Sequence, residues 1–337
     1  MSTMQDVAKL AGVSAKTVSR VFNDELHVSP AKRDRVNAAM AELNYVPNML
    51  ARTFREGKAS VLAIAVPDLG DPFFASIIRA IDQVAQRNGH AIAVTSLGHD
   101  ADREQPIVEA LLRRQMDGFI IAPISNDQSY LAKWLVNVPL VFVDREPANI
   151  AADLFVEDDK GAAHAAVQHL LQHGHTDIAF IGDSENVITT RRRLEGYREA
   201  LAAAGIPRRP ERVLLTEPEN ASELIAALLS SNDSPTAVFS SNSRTSQEIF
   251  PTLQQLNQPR VALVSFGDFP MAAALQPSVT VVDQNPERLG RAAAERLFAR
   301  LDEPTKRYRR RNVFTADLIE RASSAEFVGE AAAARGR

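Results

Sequence analysis

The fold of the N-terminal end is decided by the stretch QDVAKLAGVSAKTVSRVF, residues 5–22. Apolar residues recur at helical spacing as far as Gly12, which ends the first helix. Ser14 is a good cap for a second helix that spans Ala15 to Phe22. Two short helices joined by a three-residue turn that contains glycine are typical of a helix-turn-helix.

The residues on either side extend this pattern to three helices. Thr3 and Asp6 have the spacing of a capping box at the start of the first helix. Ser29 followed by Pro30 starts a third helix that runs to about Leu43. The sequence therefore predicts a compact three-helix head.

The second helix of such a head enters the major groove of DNA, and its first residues face the base edges. Arg20 can make a two-pronged contact to guanine, and Lys16 can contact a base or a phosphate. The alternative is that both side chains only solvate a helix. The head residues that we expect at the DNA are Thr3, Ser14, Ala15, Lys16, Thr17, Ser19, Arg20 and Asn23.

The charge distribution supports a polyanion-binding head. Residues 1–60 carry nine Lys and Arg against six Asp and Glu, whereas the whole 337-residue chain has a formal net charge of −4. A basic head on an acidic body is expected where only one part of the chain contacts nucleic acid.

Composition excludes several other classes. Hydrophobic residues make up 45% of the chain and charged residues 24%, as in a globular protein with a sizeable core. The chain has no cysteine, which excludes disulfides and thiolate chemistry. Its first residues lack the pattern of a secretory signal and no apolar run could span a bilayer, so we expect a cytoplasmic protein.

From Ser60 onward, short apolar runs alternate with amphipathic stretches, which predicts an α/β body with parallel sheets covered on both faces. The predicted strands are 61–66, 91–95, 118–122, 139–143, 178–181, 213–215, 236–239, 261–266 and 280–282. The predicted helices are 74–88, 103–115, 162–172, 192–204, 222–229 and 286–300. About nine strands fit two lobes better than one wide sheet.

Polar residues follow most of these apolar runs. Ligands of parallel sheets bind beyond the carboxyl ends of the strands. Carboxylates, amides and an arginine beside aromatic rings would suit a hydroxyl-rich ligand. Each Asp or Asn could instead cap the next helix, but their recurrence favours a pocket.

Three segments resemble the lactose-repressor (LacI/GalR) family of bacterial transcription regulators. They are residues 5–14, residues 17–21 and the stretch LNYVPN at 43–48, and the resemblance extends over about residues 3–320. It implies a hinge helix that inserts into the minor groove at the centre of the operator. In this chain Asn48, Ala51, Phe54 and Arg55 occupy that segment, with Phe54 where the family usually has Leu.

The resemblance also implies the architecture of the body. A helix-turn-helix head (1–46) and a hinge helix with linker (47–59) precede a core like that of periplasmic sugar-binding proteins. Lobe one spans 60–156 and 286–314, lobe two spans 157–285 and 315–323, and residues 324–337 form a flexible tail. The effector lies between the lobes, and the residues expected to contact it are Phe73, Phe74, Asp144, Arg193, Asn242, Asp268 and Gln284.

One departure from the family concerns the effector. Sugar-binding members usually carry an acid directly after the aromatic residue matched by Phe266, whereas this chain has Gly267 there and Asp268 one place later. Unless Asp268 or Asp183 compensates, a two-acceptor contact to sugar hydroxyls is lost. A pentose, a nucleoside or a phosphorylated compound then becomes an alternative to a hexose.

These features together predict a homodimeric repressor that binds a near-palindromic operator under control of a small effector, sugar or nucleoside-like. The alternatives are a solute-binding protein, which does not explain the head, and an enzyme, for which no acid–base pair or nucleophile stands out. We expect no cofactor and no metal site, because His169 and His173 share a helix face without an acid at a matching offset.

Overall fold

The computed structural model describes residues 3–22, 28–43, 61–256 and 261–324. The chain forms two compact units, residues 1–59 and 60–337. The first unit is the head, and the second is the core.

The head contains three helices, α1 (Met4–Ala11), α2 (Ala15–Phe22) and α3 (Pro30–Glu42). Thr3 Oγ1 accepts a hydrogen bond from the Asp6 amide at 3.2 Å, and the Thr3 amide donates to Asp6 Oδ2 at 2.7 Å, so both halves of the capping box are formed. Gly12 takes the left-handed conformation, with φ 64°, that ends α1.

A small apolar core holds the three helices together. Its buried members come from all three helices and are Val7, Ala8, Ala11, Val18, Val21, Val36 and Ala39. With this core on one side, the start of α2 is left for solvent or a partner.

The first sheet of the core unit has six parallel strands in the order β11-β5-β4-β3-β1-β2. The strands are β1 (Val61–Val66), β2 (Ala91–Ser96), β3 (Gly118–Ile121), β4 (Leu140–Val143), β5 (Asp153–Glu157) and β11 (Arg311–Phe314). One face packs on α4 (Pro72–Arg87) and α10 (Pro286–Asp302), and the other packs on α5 (Glu104–Leu112). This sheet and its helices form lobe one.

The second sheet also has six strands, in the order β12-β10-β9-β8-β6-β7, and only the β10–β12 pair is antiparallel. The strands are β6 (Ile178–Gly182), β7 (Val213–Leu215), β8 (Ala237–Ser240), β9 (Ala262–Phe266), β10 (Thr280–Asp283) and β12 (Asp317–Ile319). Its helices are α6 (Asp159–Gln172), α7 (Ile188–Ala203), α8 (Ala221–Leu229) and α9 (Ser243–Gln255). They form lobe two.

The chain crosses between the lobes three times. It passes from β5 to α6, from β10 to α10 and from β11 to β12. In both lobes the central parallel strands are nearly continuous apolar runs because helices cover both faces. The expected two-lobed α/β core is confirmed.

Three strands and one helix were not predicted. β5 is bounded by two acids, and β11 and β12 are short strands beside the crossings, so none of them presents the apolar run that marks a central strand. The helix α9 contains Pro251 and several Ser and Thr residues, which weakened its helical pattern.

The prediction of a flexible tail from residue 324 is wrong at its first residue. Ser324 is 1% exposed, and its hydroxyl lies 2.7 Å from Thr280 Oγ1 and 2.8 Å from His169 Nε2. These buried hydrogen bonds hold Ser324 against β10 and α6, while residues 325–337 lie outside the described residues.

No helix in the part of the chain that the structure describes is long and apolar enough to cross a membrane.

Candidate functional site

A cleft between the two lobes has a volume of about 670 Å³. That volume lies within the range of small-molecule sites, roughly 300–1,000 Å³. Its walls are built where strands of both sheets end, as the polar strand ends predicted. Six of the seven expected effector residues line it, namely Phe73, Phe74, Asp144, Arg193, Asn242 and Gln284.

The wall from lobe one combines aromatic rings with a buried acid. Asp71 Oδ1 caps α4 by accepting from the Phe73 amide at 2.9 Å, which places Phe73 and Phe74 at the cleft with ring centroids 5.2 Å apart, edge to face. Asp144 follows β4 in the left-handed conformation, with φ 63°, and is 6% exposed. Burial raises the pKa of Asp144 to about 6.

The wall from lobe two is organised around Arg193 of α7. Its Nε donates to Asp159 Oδ1 at 2.7 Å, and its Nη1 donates to the Ser241 carbonyl at 2.7 Å. The guanidinium also lies 3.9 Å from the ring centroid of Phe266. Arg193 is therefore held rigidly, and ligand binding would need little further ordering of its side chain.

Three buried side-chain atoms of the cleft residues have no hydrogen-bond partner among the described residues. They are Asp183 Oδ1, an acceptor, Gln284 Nε2, a donor, and Arg145 Nε, a donor that lies 3.5 Å from Asp144 Oδ2. Gln284 is 5% exposed. Burial and the nearby Glu217 raise the pKa of Asp183. A buried donor and acceptor without partners cost free energy, which a hydroxyl-bearing ligand would recover.

Asp268, the seventh expected residue, is not among the lining residues. Both of its carboxylate oxygens bind the guanidinium of Arg321, at 3.1 and 2.7 Å, so the pair draws the side chain away from the cleft. Between Asp268 and Asp183, only Asp183 is placed to replace the missing family acid. Asn242 lines the cleft, but its Oδ1 caps α9 by accepting from the Thr245 amide at 2.8 Å.

The missing acid is explained by local geometry at Gly267. Its φ is +97°, where a side chain is strained, and a Cβ would lie 3.1 Å from Gln284 Oε1. Gln284 thus occupies the space in front of Gly267.

The sequence alone did not lead us to expect three residues that line the cleft, Asp71, Arg145 and Arg244. Arg244 binds Asp68 at 3.3 Å and Glu219 at 3.1 Å, and Arg145 lies 3.5 Å from Asp144. The signal for Asp71 was present, since an Asp before Pro at a helix start is a typical cap. The arginines gave no signal, because their partners are distant in sequence.

A second cavity of about 260 Å³ lies beside the crossing from β5 to α6 and shares Asp144 with the cleft. Glu157, at the end of β5, has a side chain that is 1% exposed, and Arg288 Nη2 lies 3.9 Å from its Oε2. Burial raises the pKa of Glu157 to about 8. We therefore expect the stability of the crossing from β5 to α6 to depend on whether the Glu157 carboxyl group is protonated.

In the head, the start of α2 presents the expected DNA-contacting residues. Ser14 Oγ accepts from the Thr17 amide at 3.2 Å and caps the helix. Lys16 and Arg20 are exposed, while Ala15, Thr17 and Ser19 are half-buried. Thr3 is exposed, and its hydroxyl is also part of the cap of α1.

The remaining DNA-contacting predictions fall elsewhere in the chain. Asn23, Asn48, Ala51, Phe54 and Arg55 lie outside the described residues.

Comparison with known proteins assigns both units. Residues 3–48 match the sequence model for bacterial regulatory proteins of the lacI family. Residues 59–321 match the model for periplasmic binding proteins and the sugar-binding domain of the LacI family. The chain belongs to the LacI family. As a LacI-family protein it is a DNA-binding regulator with an effector-binding core, and it is not an enzyme.

Individual LacI-family proteins match over almost the whole chain. The ribose operon repressor of Escherichia coli (strain K12) is 31% identical over 331 residues, 96% of this chain and 100% of the relative. The PurR repressor of Pasteurella multocida is 28% identical over 91% of this chain and 94% of its own. The crystal structure of the Lac repressor dimer bound to operator and the anti-inducer ONPF has a TM-score of 0.82 at 24% identity, covering 96% of this chain and 99% of the other.

Proposed function

We propose that this LacI-family protein is a transcriptional repressor whose effector is a neutral, pentose-sized sugar bound in the cleft. The observation that carries the proposal is that Asp183 Oδ1 and Gln284 Nε2, two buried atoms without a hydrogen-bond partner, belong to residues that line the cleft together with Phe73. An acceptor, a donor and an aromatic face are what a sugar ring with adjacent hydroxyls requires.

The charges of the cleft favour a neutral ligand over a phosphorylated one. Six acids line it, Asp68, Asp71, Asp144, Glu146, Asp183 and Glu217, against four arginines, Arg145, Arg191, Arg193 and Arg244. Three of the arginines are already paired with carboxylates, Arg145 with Asp144, Arg193 with Asp159 and Arg244 with Asp68. A phosphate would therefore enter a site with excess negative charge.

The pentose class is supported by relatives of this chain. A ribose operon repressor is 31% identical to this chain over nearly its full length. The PurR relative, at 28% identity, makes a nucleoside or purine the second candidate. The two candidates differ in the ligand surface that Phe73 and Phe74 would stack on, a sugar face or a base.

We further propose that the protein works as a homodimer on a near-palindromic operator, since one head covers one half-site. Arg20 and Lys16 would contact bases from α2, and Phe54 of the hinge segment would enter the minor groove. The domain boundaries expected from the sequence, with the lobes divided at 156/157, 285/286 and 314/315, belong to this proposal. The DNA-bound protein would be associated with the nucleoid.

The effector assignment is tested by a thermal-shift screen of pentoses, hexoses, nucleosides and their phosphates, followed by calorimetry on the best ligand. We expect a free pentose to raise the melting temperature most. Asp183→Asn should weaken its binding by about 10- to 100-fold, the value of a hydrogen bond to a charged group.

The matched control is Glu185→Gln, because Glu185 is on the same loop and binds Arg198 at 3.2 Å. It should leave the affinity unchanged. Stronger binding of a nucleoside or a sugar phosphate than of any free sugar would overturn the pentose assignment.

A further inference from the structure

Two histidines and a glutamate meet on lobe two, away from the cleft. His169 lies in the last turn of α6, His173 caps its carboxyl end, and Glu320 follows β12. One ligand atom from each lies within 4.8 Å of the others. No acid lies at a matching spacing on α6, but Glu320, which follows β12 much later in the sequence, provides one.

The hydrogen bonds of His173 fix which nitrogen is available. His173 Nδ1 lies 2.9 Å from the His169 carbonyl oxygen, which can only accept, so Nδ1 carries the proton. His173 Nε2 then presents its lone pair, and it lies 3.5 Å from Glu320 Oε1. An imidazole that donates one N–H to a backbone carbonyl and offers its other nitrogen is the usual arrangement of a metal ligand.

His169 is held just as firmly. It is 6% exposed, its Nε2 lies 2.8 Å from Ser324 Oγ, and its ring centroid lies 4.2 Å from that of His173.

We propose that His169, His173 and Glu320 form a binding site for a divalent transition-metal ion of the Zn²⁺ class. Two imidazoles and one carboxylate are a donor set that Zn²⁺ uses, with water in the fourth position. Glu320 has a side chain that is 64% exposed, so it can move inward to bring the three donors to coordination distance while leaving one side open to water.

The site would connect the parts of lobe two that follow two of the crossings. α6 follows the crossing from β5, and Glu320 follows the crossing from β11 through β12. His169 lies ten residues after Asp159, about 15 Å along the helix axis, so the ion would not contact the effector. Its effect would be to stabilise lobe two.

The test uses the full-length protein, free of any histidine tag and treated with EDTA, which is then removed by dialysis. Calorimetry with ZnCl₂ should give one ion per chain, and saturating Zn²⁺ should raise the melting temperature by about 3 °C or more, reversibly on adding EDTA. Substitution with Co²⁺ should give the visible absorption bands of a four-coordinate site.

His173→Gln should abolish the zinc-dependent shift, and Glu320→Gln should weaken zinc binding at least about tenfold, since each removes one of three ligands. Both side chains are at least partly exposed, so the variants should fold. His164→Gln is the matched control, as His164 lies on the same helix outside the cluster, and it should bind zinc like the unmodified chain. Absence of zinc binding by the unmodified chain, or equal binding by His173→Gln, would overturn the proposal.

Discussion

Arg244 Nη1 lies 3.3 Å from Asp68 Oδ2, and this ion pair joins the two lobes across the cleft. Asp68 follows β1 of lobe one, whereas Arg244 lies in the first turn of α9 of lobe two. Since both residues line the cleft, we expect the pair to link ligand occupancy with the relative position of the lobes.

Asp68→Asn should weaken effector binding by about two- to fivefold, because a partly exposed ion pair contributes roughly 0.2–1 kcal/mol. Calorimetry with the identified effector measures the change, which should shrink at high salt. Glu219→Gln removes the other partner of Arg244 within lobe two and should have no comparable effect. Equal losses in the two variants would show that the contact across the cleft has no special role.

Arg193→Ala should both destabilise the protein and remove effector binding. The change leaves Asp159 buried without its cation, which should lower the free energy of unfolding by about 3–5 kcal/mol. Urea denaturation measures this loss. Arg192→Ala is the control, since Arg192 is exposed and its pair with Glu195 contributes little. If Arg193→Ala binds the best ligand with unchanged affinity, the cleft is assigned to the wrong residues.

Glu157 should make the stability of the core depend on pH. Its pKa is about 8 in the folded protein and 4.5 when unperturbed. Between these values the folded chain holds a proton that the unfolded chain has released. The free energy of unfolding therefore falls as pH rises, by at most about 1.4 kcal/mol per pH unit from this group.

Glu157→Gln removes that titration. Urea denaturation at several pH values between about 5 and 8 should show the variant gaining stability relative to the unmodified chain as pH increases. A difference that stays constant or shrinks over this range would contradict the burial of a Glu157 carboxyl group that has no hydrogen-bond partner among the described residues.

Arg20→Ala should cost about 1–3 kcal/mol of operator binding and relax the preference at one base pair of each half-site. Arg20→Lys keeps the positive charge without the two-pronged geometry, so it should recover salt-dependent affinity but not the base preference. Both are measured by titrating labelled operator variants at fixed salt. Unchanged affinity and base preference in Arg20→Ala would remove Arg20 from base recognition.

Much of the fold follows from local signals in the sequence. The caps at Thr3 and Ser14 define the first two helices, and the central strands such as Val61–Val66 are continuous apolar runs because both of their faces are covered. The crossing strand Asp153–Glu157 escaped because it begins and ends with acids whose partners are distant in sequence. Propensity and periodicity depend only on neighbours along the chain.

In the cleft too, local sequence signals indicated some residues correctly and others wrongly. Strand-end polarity indicated Asp144 and Gln284, and both line the cleft. It also indicated Asp268, which binds Arg321, a residue 53 positions away in the sequence. A residue type at a strand end indicates where a side chain starts, but its partner decides where the side chain points. The acid at position 320 beside His173 could not be expected for the same reason.

Effector occupancy and operator binding are expected to be coupled in one molecule. The most direct test is a fluorescence-anisotropy titration of labelled operator with full-length protein, with and without saturating effector. We predict that the effector changes the operator Kd by about 5- to 150-fold, and that operator changes the effector Kd by the same factor. An operator Kd that is identical with and without bound effector would show that the two sites are not coupled.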